Sequence, residues 1–528
     1  MAAAGAVCPR SYHLAGAFRT VDGGHPVDAS SVARPRPLDR QAVAFVDING
    51  VARCAWPAYS RRMSRQFSTA VWTLGAAILV LLIANGSPTA GWAGDASMLL
   101  LAATFIASMI AMAFASTNHR MQLSLQLMTI YFSIYLVLPG YNHASINLFP
   151  FFGFSYSPEV RTSAAVIVML FMIAVAVGYI VMPPARAHGR PGVVAHSTGR
   201  VIQDNGLLGV VLTIVSLISM AAFVKAIGLS AALGTRETLD AATSDNVAAG
   251  FAVAVPRAVT FLPLIYGTLL VKFSKSKRLG VLLLLINTPI FLVVNFPLSL
   301  PRSQVFGIII LFLLLIVNFK KVSARSVLSS AYVFGALIAM PVLNHFSRRG
   351  GTLADLNLRQ VTSSYFESGD FDGYQSVANS VVYVDLYHHT AGVQLLSAIL
   401  FFVPRSIWPG KGEPTGQLTS EAVGYTFTNI SQPLPSEFYV DFGWAGVIIG
   451  GLLLGMVFSR LDRWIDRGWV TDHRTRLAAG WLMGFGLTVF RGTLLGVLPP
   501  FVIVALGLWV IARWGMQPIR QMEREDLG

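Results

Sequence analysis

The chain has 528 residues, of which 54% are hydrophobic and only 12% charged, with a mean hydropathy of +0.61. Soluble domains are about a quarter charged, so this chain is solvated largely by lipid, where a charge at the bilayer centre costs about 2.5–3.5 kcal/mol. The net charge of +14 does not point to nucleic acid, because the basic residues fall in short blocks between apolar runs, and the two cysteines, Cys8 and Cys54, precede the first run and form neither a disulfide framework nor a metal-ligand spacing.

Residues 1–66 are polar and Arg-rich, with no apolar core followed by a small-residue cleavage site. They are expected to form a disordered cytoplasmic leader, the alternative being translation from Met63. Runs near the ~20-residue spanning length follow. They are Ser68–Ala84, Met98–Ser116, Leu123–Leu138, Ser163–Met182, Leu207–Ile227, Phe251–Val271, Leu279–Asn295, Gln304–Asn318 and Val327–Leu343, then Phe442–Ser459, Leu477–Leu498 and Phe501–Ile511. The expected organisation is thus nine spans in 67–343, a long loop in 344–441, three spans in 442–512 and a tail in 513–528. The fold class is an all-α polytopic membrane protein of about twelve helices.

Loop charge tests this count. The leader (Arg53, Arg61, Arg62, Arg65) and every second connection are basic, among them Lys272–Arg278, Lys320–Arg325 and Arg460–Arg476. With twelve spans all of these fall on one side, which puts both termini in the cytoplasm and residues 344–441 outside. The long loop is rich in aromatics, which favours an ordered cap. Within it Val393–Val403 is apolar but half a span long, and is expected to be a re-entrant or interfacial helix ended by Pro404.

The candidate chemistry lies in basic residues on the outward side: Arg257 within the sixth span, Arg302 at the mouth of the eighth, Arg348, Arg349, Arg359, Arg405 and Lys411 in the long loop, and Arg491 near the outward end of the eleventh. An arginine inside a span commonly faces a cavity or partner, and guanidinium suits phosphate oxygens. The alternative for each is snorkelling or capping a helix carbonyl. Trp408, between prolines that fix the backbone near Arg405, could sit at the interface or stack on a sugar ring. Glu437 and Asp441 share one face if helical; a carboxylate there could serve as a general base or simply hold the loop by a salt bridge. Among His345, His388 and His389 any could be a base, or merely exposed. No acidic residue lies deep inside an expected span, and there is no Walker, Rossmann or zincin motif.

The stretch PRSIWPGKGEPTG, then SEFYVDFGWAGVIIGGLLLG, with RSQVFGIII at Arg302 and FRG at Arg491, resembles the bacterial O-antigen polymerase (Wzy-type), or oligosaccharide repeat unit polymerase, family. The resemblance implies a GT-C-like inner-membrane glycosyltransferase, working at the periplasmic face, that moves a growing glycan from undecaprenyl pyrophosphate onto a lipid-linked repeat unit. It further implies that Arg257, Arg302, Arg405, Trp408, Lys411 and Arg491 bind pyrophosphate and glycan, and that Glu437, or else His388, is the acid–base residue. No metal or other cofactor is implied; a chain-length regulator and a flippase are the implied partners. An O-antigen ligase and a lipid-linked oligosaccharide flippase or exporter are the rival readings.

Overall fold

The computed structural model describes residues 95–182, 199–234, 238–239, 247–297, 299–300, 302–334, 366, 369–428 and 430–518. The expected leader, the first span, the end of the ninth, His345, Arg348, Arg349 and Arg359 lie outside these residues. Within lipid a backbone has to pair its own N–H and C=O groups, so apolar runs become helices. They stand at α1 (Ala96–Thr117), α2 (Leu123–Ile146), α3 (Pro158–Val181), α4 (Gly206–Ile227), α5 (Val247–Val259), α6 (Phe261–Phe273), α7 (Arg278–Val294), α8 (Arg302–Ile316) and α9 (Val322–Phe334). The long loop contributes α10 (Gly373–Tyr387), α11 (Val393–Ile399) and α12 (Thr415–Ala422), and the chain continues with α13 (Leu434–Gly468), α14 (His473–Arg491) and α15 (Leu494–Trp514).

Among the described residues, seven helical segments are long and apolar enough to cross a membrane: α1 to α4, the stretch Val253–Phe273 across α5 and α6, α13 and α15. Starts are marked by polar caps. Asp95 accepts from the Ser97 N–H at 3.0 Å, Asn205 from the Leu208 N–H at 3.0 Å, and Asp472 from the Arg474 N–H at 3.1 Å.

Two buried apolar clusters organise the bundle. One joins α1, α2, α3, α8, α9, α10, α11, α13, α14 and the start of α15; the other joins α4, α5, α6, α7, α8, α14 and α15. Helices α8, α14 and α15 contribute to both, and Phe490, next to Arg491, belongs to the first. Helices α13 and α3 lie backbone against backbone, because Gly451 and Gly455 face α3: a Cβ at Gly451 would meet Ala174 Cβ at 2.7 Å, and one at Gly455 would run into the Val175 carbonyl.

At the far end of the bundle from Arg491, Asp462 accepts from the backbone N–H of Ser124 at 2.8 Å, the Ser124 hydroxyl at 2.8 Å and the Tyr179 hydroxyl at 2.9 Å, closing the start of α2. Because α13 runs nine residues beyond the expected Ser459, this buried carboxylate lies inside a helix where no acid was expected. Basic residues of three loops collect here. Arg325 is fully buried, and the Arg476 guanidinium lies 4.5 Å from the Trp469 ring centre and 4.9 Å from that of Phe273. A two-stranded antiparallel ribbon, β1 (Arg200–Ile202) with β2 (Met516–Pro518), ties the chain across this end.

Gly455→Leu is expected to destabilise the protein by about 1–3 kcal/mol through overpacking against α3, read as a lowered midpoint in detergent unfolding. Gly206→Ala, where the added Cβ meets nothing within 4 Å, should leave that midpoint unchanged.

Candidate functional site

Arg491 ends α14 and is 30% exposed. Its Nε donates to the Ser431 hydroxyl at 2.8 Å, and its Nη2 donates to the Gly369 carbonyl at 3.2 Å and lies 3.5 Å from Asp372 Oδ1. Asp372, almost wholly buried, also accepts from the Ser431 N–H at 2.8 Å and from the Ser431 hydroxyl. The Arg491 carbonyl accepts from the Gln432 N–H at 2.7 Å. One guanidinium thus joins three segments far apart in the chain, while keeping part of its surface open.

Helix α2 reaches this place through a π-helical turn at Tyr131–Val137. Such wide turns are frequent at functional sites because they push side chains out of the regular helical register. Here Tyr131 packs on Phe490 at 5.8 Å and Tyr135 stacks on Phe371 at 5.9 Å. The Tyr131 hydroxyl is buried without a hydrogen-bond partner and lies within electrostatic reach of Arg491 and Asp372.

The first turns of α13 carry the two acids singled out by spacing. Glu437 Oε1 accepts from the Leu494 N–H at 2.7 Å, at the start of α15, and Oε2 accepts from the Thr415 hydroxyl at 2.5 Å, at the start of α12. Asp441 accepts from the N–H groups of Gln394 at 3.1 Å and Leu395 at 2.8 Å, at the start of α11, and from the Thr390 hydroxyl at 2.5 Å. Both are buried helix caps, and neither makes a salt bridge among the described residues. Gly443 (φ 61°, ψ −148°) then kinks α13 in a conformation open essentially only to glycine, separating this short acidic turn from the long membrane segment.

Below Arg491 lies a cavity of about 250 Å³, lined mostly by apolar side chains of α5, α6, α8, α14 and α15, among them Phe261, Ile308, Phe485 and Val497, with Arg257, Asn295, Gln304 and Thr488 as its polar groups. Thr488 is one turn before Arg491 on α14. The Arg257 guanidinium donates to the Ser299 hydroxyl at 3.1 Å and, in the capping manner that was the alternative for it, to the carbonyls of Ser299 at 3.3 Å and Val294 at 3.4 Å; it lies 6.0 Å from the Phe223 ring centre. Arg302 is the first residue of α8, two residues before the cavity-lining Gln304; its side chain lies outside the described set. Arg257 therefore lines this cavity, while Arg491 is not part of its wall but stands on α14 one turn beyond the lining Thr488, and Glu437 caps α15 at Leu494, three residues after Arg491.

The remaining expected residues are placed otherwise. Arg405 donates to the carbonyls of Lys411 at 2.8 Å and Gly412 at 3.0 Å and pairs with Glu413 at 2.8 Å. Lys411 donates to the carbonyls of Phe401 at 2.7 Å and Val403 at 2.8 Å. Desolvation and the neighbouring Arg405 charge hold its ammonium below the ordinary lysine value. These two cations staple their own loop, the capping role that was the alternative for them, and the half-buried Trp408 belongs to that loop. The expected helix at Val393–Val403 stops at Ile399, since the carbonyls beyond it are taken by Lys411 rather than by a further turn; it leaves Leu396 and Ile399 exposed, as an interfacial helix would. His388 is exposed at the far end of α10, and that helix of 15 residues sets it about 22 Å from the Asp372 end. It does not share a site with Arg491.

Asp372, Ser431 and Tyr131 were not singled out by sequence reasoning. The only signal for Asp372 is the scarcity of acids, 25 in the whole chain, which makes each one in an apolar protein worth asking about. Neither a family model, nor a curated protein, nor a solved structure matches this chain.

Glu437→Ala leaves the Leu494 N–H and the Thr415 hydroxyl unmet and is expected to cost about 1–3 kcal/mol. Glu437→Gln, which keeps an acceptor oxygen for α15, should lose clearly less; chemical unfolding in detergent compares the two.

Proposed function

We propose that this protein polymerises glycan repeat units carried on a polyprenyl pyrophosphate, at the outer face of the bacterial inner membrane. On this reading it is a GT-C-like enzyme of about twelve spans with both termini in the cytoplasm. The observation that carries the proposal is a partly exposed arginine at the end of α14, one turn beyond a residue that lines an apolar cavity containing a second arginine. An amphiphile with an anionic head and a hydrocarbon tail fits such a place: Arg491, Arg257 and, by its backbone position, Arg302 flank the pyrophosphate, and the apolar walls receive the first isoprenes. The collection of basic loop residues at the opposite end supports the orientation.

In the reaction the acceptor hydroxyl oxygen forms a bond to the anomeric carbon of the donor glycan. The bond from that carbon to the pyrophosphate breaks, and its electron pair leaves with the polyprenyl pyrophosphate. Arginine N–H groups placed at the pyrophosphate stabilise the charge that grows there, and a preorganised donor of this kind is worth about 10²–10³ in rate. The hydroxyl proton passes to a base. Glu437 is the nearest of the two acids read from sequence; to act it has to release the Thr415 hydroxyl, and His388 is too distant to replace it.

The test is reconstituted protein with a synthetic lipid-linked repeat unit and no energy source, read as a glycan ladder. Wild-type protein should lengthen the substrate, and Arg257→Ala, and Arg491→Lys, which keeps a cation beside the buried Asp372 but loses the guanidinium fork, should each reduce the rate by about 10²–10³-fold. Arg405→Ala and Lys411→Ala, which loosen a loop, should act far less. Glu437→Gln should be inactive yet folded if Glu437 is the base. Transfer of preformed long chains to a lipid A–core acceptor without lengthening would identify a ligase, and energy-dependent movement without bond formation would identify an exporter.

A further inference from the structure

At the end of the bundle that carries Arg491, the segment Phe149-Pro150-Phe151-Phe152-Gly153-Phe154 turns back on itself. The Phe149 N–H donates to the Phe154 carbonyl at 3.2 Å, and the Phe154 N–H to the Phe151 carbonyl at 3.4 Å. Phe152 (φ 58°) and Gly153 (φ 59°) are both left-handed. Two successive left-handed residues make a turn suited to Asn or Gly, so a phenylalanine in the first position is strained. That turn holds the Phe152 ring 58% exposed.

The ring is one of a group. Phe152 lies 5.1 Å from Tyr425 and 5.7 Å from Phe427 between ring centres, Phe151 lies 4.8 Å from Phe427, and Phe154 lies 5.5 Å from Tyr425. Two loops distant in sequence thereby form one aromatic shelf. Its underside is fixed by amides of α10. Gln375, fully buried, accepts from the Phe151 N–H at 3.0 Å and donates to the Phe151 carbonyl at 3.2 Å and the Tyr425 hydroxyl at 2.6 Å. Asn379 accepts from the Tyr156 hydroxyl.

Two features indicate what the shelf receives. Its exposed flanking residues include Ser155, Glu159, Glu421, Thr426 and Thr428, with two carboxylates, beside the apolar Ile146 and Leu148 that precede the turn; the carboxylates on the rim suit a hydrated partner and oppose burial in hydrocarbon. The shelf also adjoins Arg491: the Gly369 carbonyl accepts from Arg491, and a Cβ added at Gly369 would stand 2.8 Å from the Phe151 ring. Rigid aromatic faces beside hydroxyls and carboxylates match a sugar, whose C–H face stacks on rings while its hydroxyls reach the rim. We propose that the shelf of Phe151, Phe152, Phe154, Tyr425 and Phe427 binds pyranose residues of the glycan whose pyrophosphate sits at Arg491. This rests on the reading of Arg491 given above.

The experiment uses full-length protein in lipid nanodiscs with 4-fluorophenylalanine at position 152. The probe is the lipid-free oligosaccharide released by mild acid from the producing strain's own polysaccharide. A saturable ¹⁹F shift is expected, with the signal broadened by a water-soluble gadolinium chelate and not by nitroxide-labelled lipid. Phe152→Gly removes the ring and relieves the left-handed strain, so it should fold at least as well while binding the oligosaccharide about tenfold more weakly, with Phe427→Ala acting likewise. Absence of a shift, unchanged affinity in Phe152→Gly, or broadening by the labelled lipid, which would make the shelf a membrane anchor, overturns the proposal. Repeat-unit lengthening that persists without any shift sinks the shelf alone. A shift in protein that cannot lengthen lipid-linked repeats keeps the shelf and sinks the polymerase reading.

Discussion

A helix that begins inside a protein, away from water, has up to four N–H groups with no partner of their own. This constraint governs the bundle more than any other. Asp462 closes the start of α2, Asp441 that of α11 and Glu437 that of α15, while Asp372 holds the Ser431 N–H a few residues before α13. In a chain with so few acids, several of the buried ones are spent on backbone donors. The helix dipole reinforces each contact, since a negative charge at a helix start is favourable. Where the acids stand therefore dictates which helix ends meet, and the meeting of α12, α13 and α15 at Glu437 builds the ground on which Arg491 sits.

Hydropathy made most of the helices legible. Their apolar runs have no other way to satisfy backbone hydrogen bonds in lipid, and α1, α3 and α4 begin and end within a few residues of the expected limits. Helix α13 exceeds its expected span at both ends, because polar residues at its tips are paid for by caps and ion pairs that no window of hydropathy records. Helix α10 was illegible for a related reason. It is surrounded on nearly all sides by protein, so its buried residues include Gln375, Ser376, Asn379 and Ser380, and no amphipathic period marks it.

The candidate site was legible only in part. That Glu437 and Asp441 lie on one face followed from their spacing, and the structure agrees; that each would cap a different helix could not be read, because the partners are up to 57 residues away. Arg405 and Lys411 looked like the rest of the arginine group in sequence. What separates them is a short loop rich in inward-facing carbonyls, which takes up their donors locally. Arg257 and Arg491 also donate to backbone carbonyls, but Arg257 does so from the wall of a cavity and Arg491 from a place one turn beyond the cavity-lining Thr488, and that placement is a property of packing.

The pairing of Asp372 with Arg491 also has a meaning for how the molecule is made. The two are 119 residues apart, so at roughly 5–20 residues per second the acid is synthesised about 6–24 s before its cation. Ser431, 59 residues after Asp372, is made about halfway through that interval, after Tyr425 and Phe427, so the loop contacts of Asp372 can form before its ion pair. Until α14 is made, the buried carboxylate at the start of α10 lacks its cation, so the late helix completes a contact that the earlier chain leaves open.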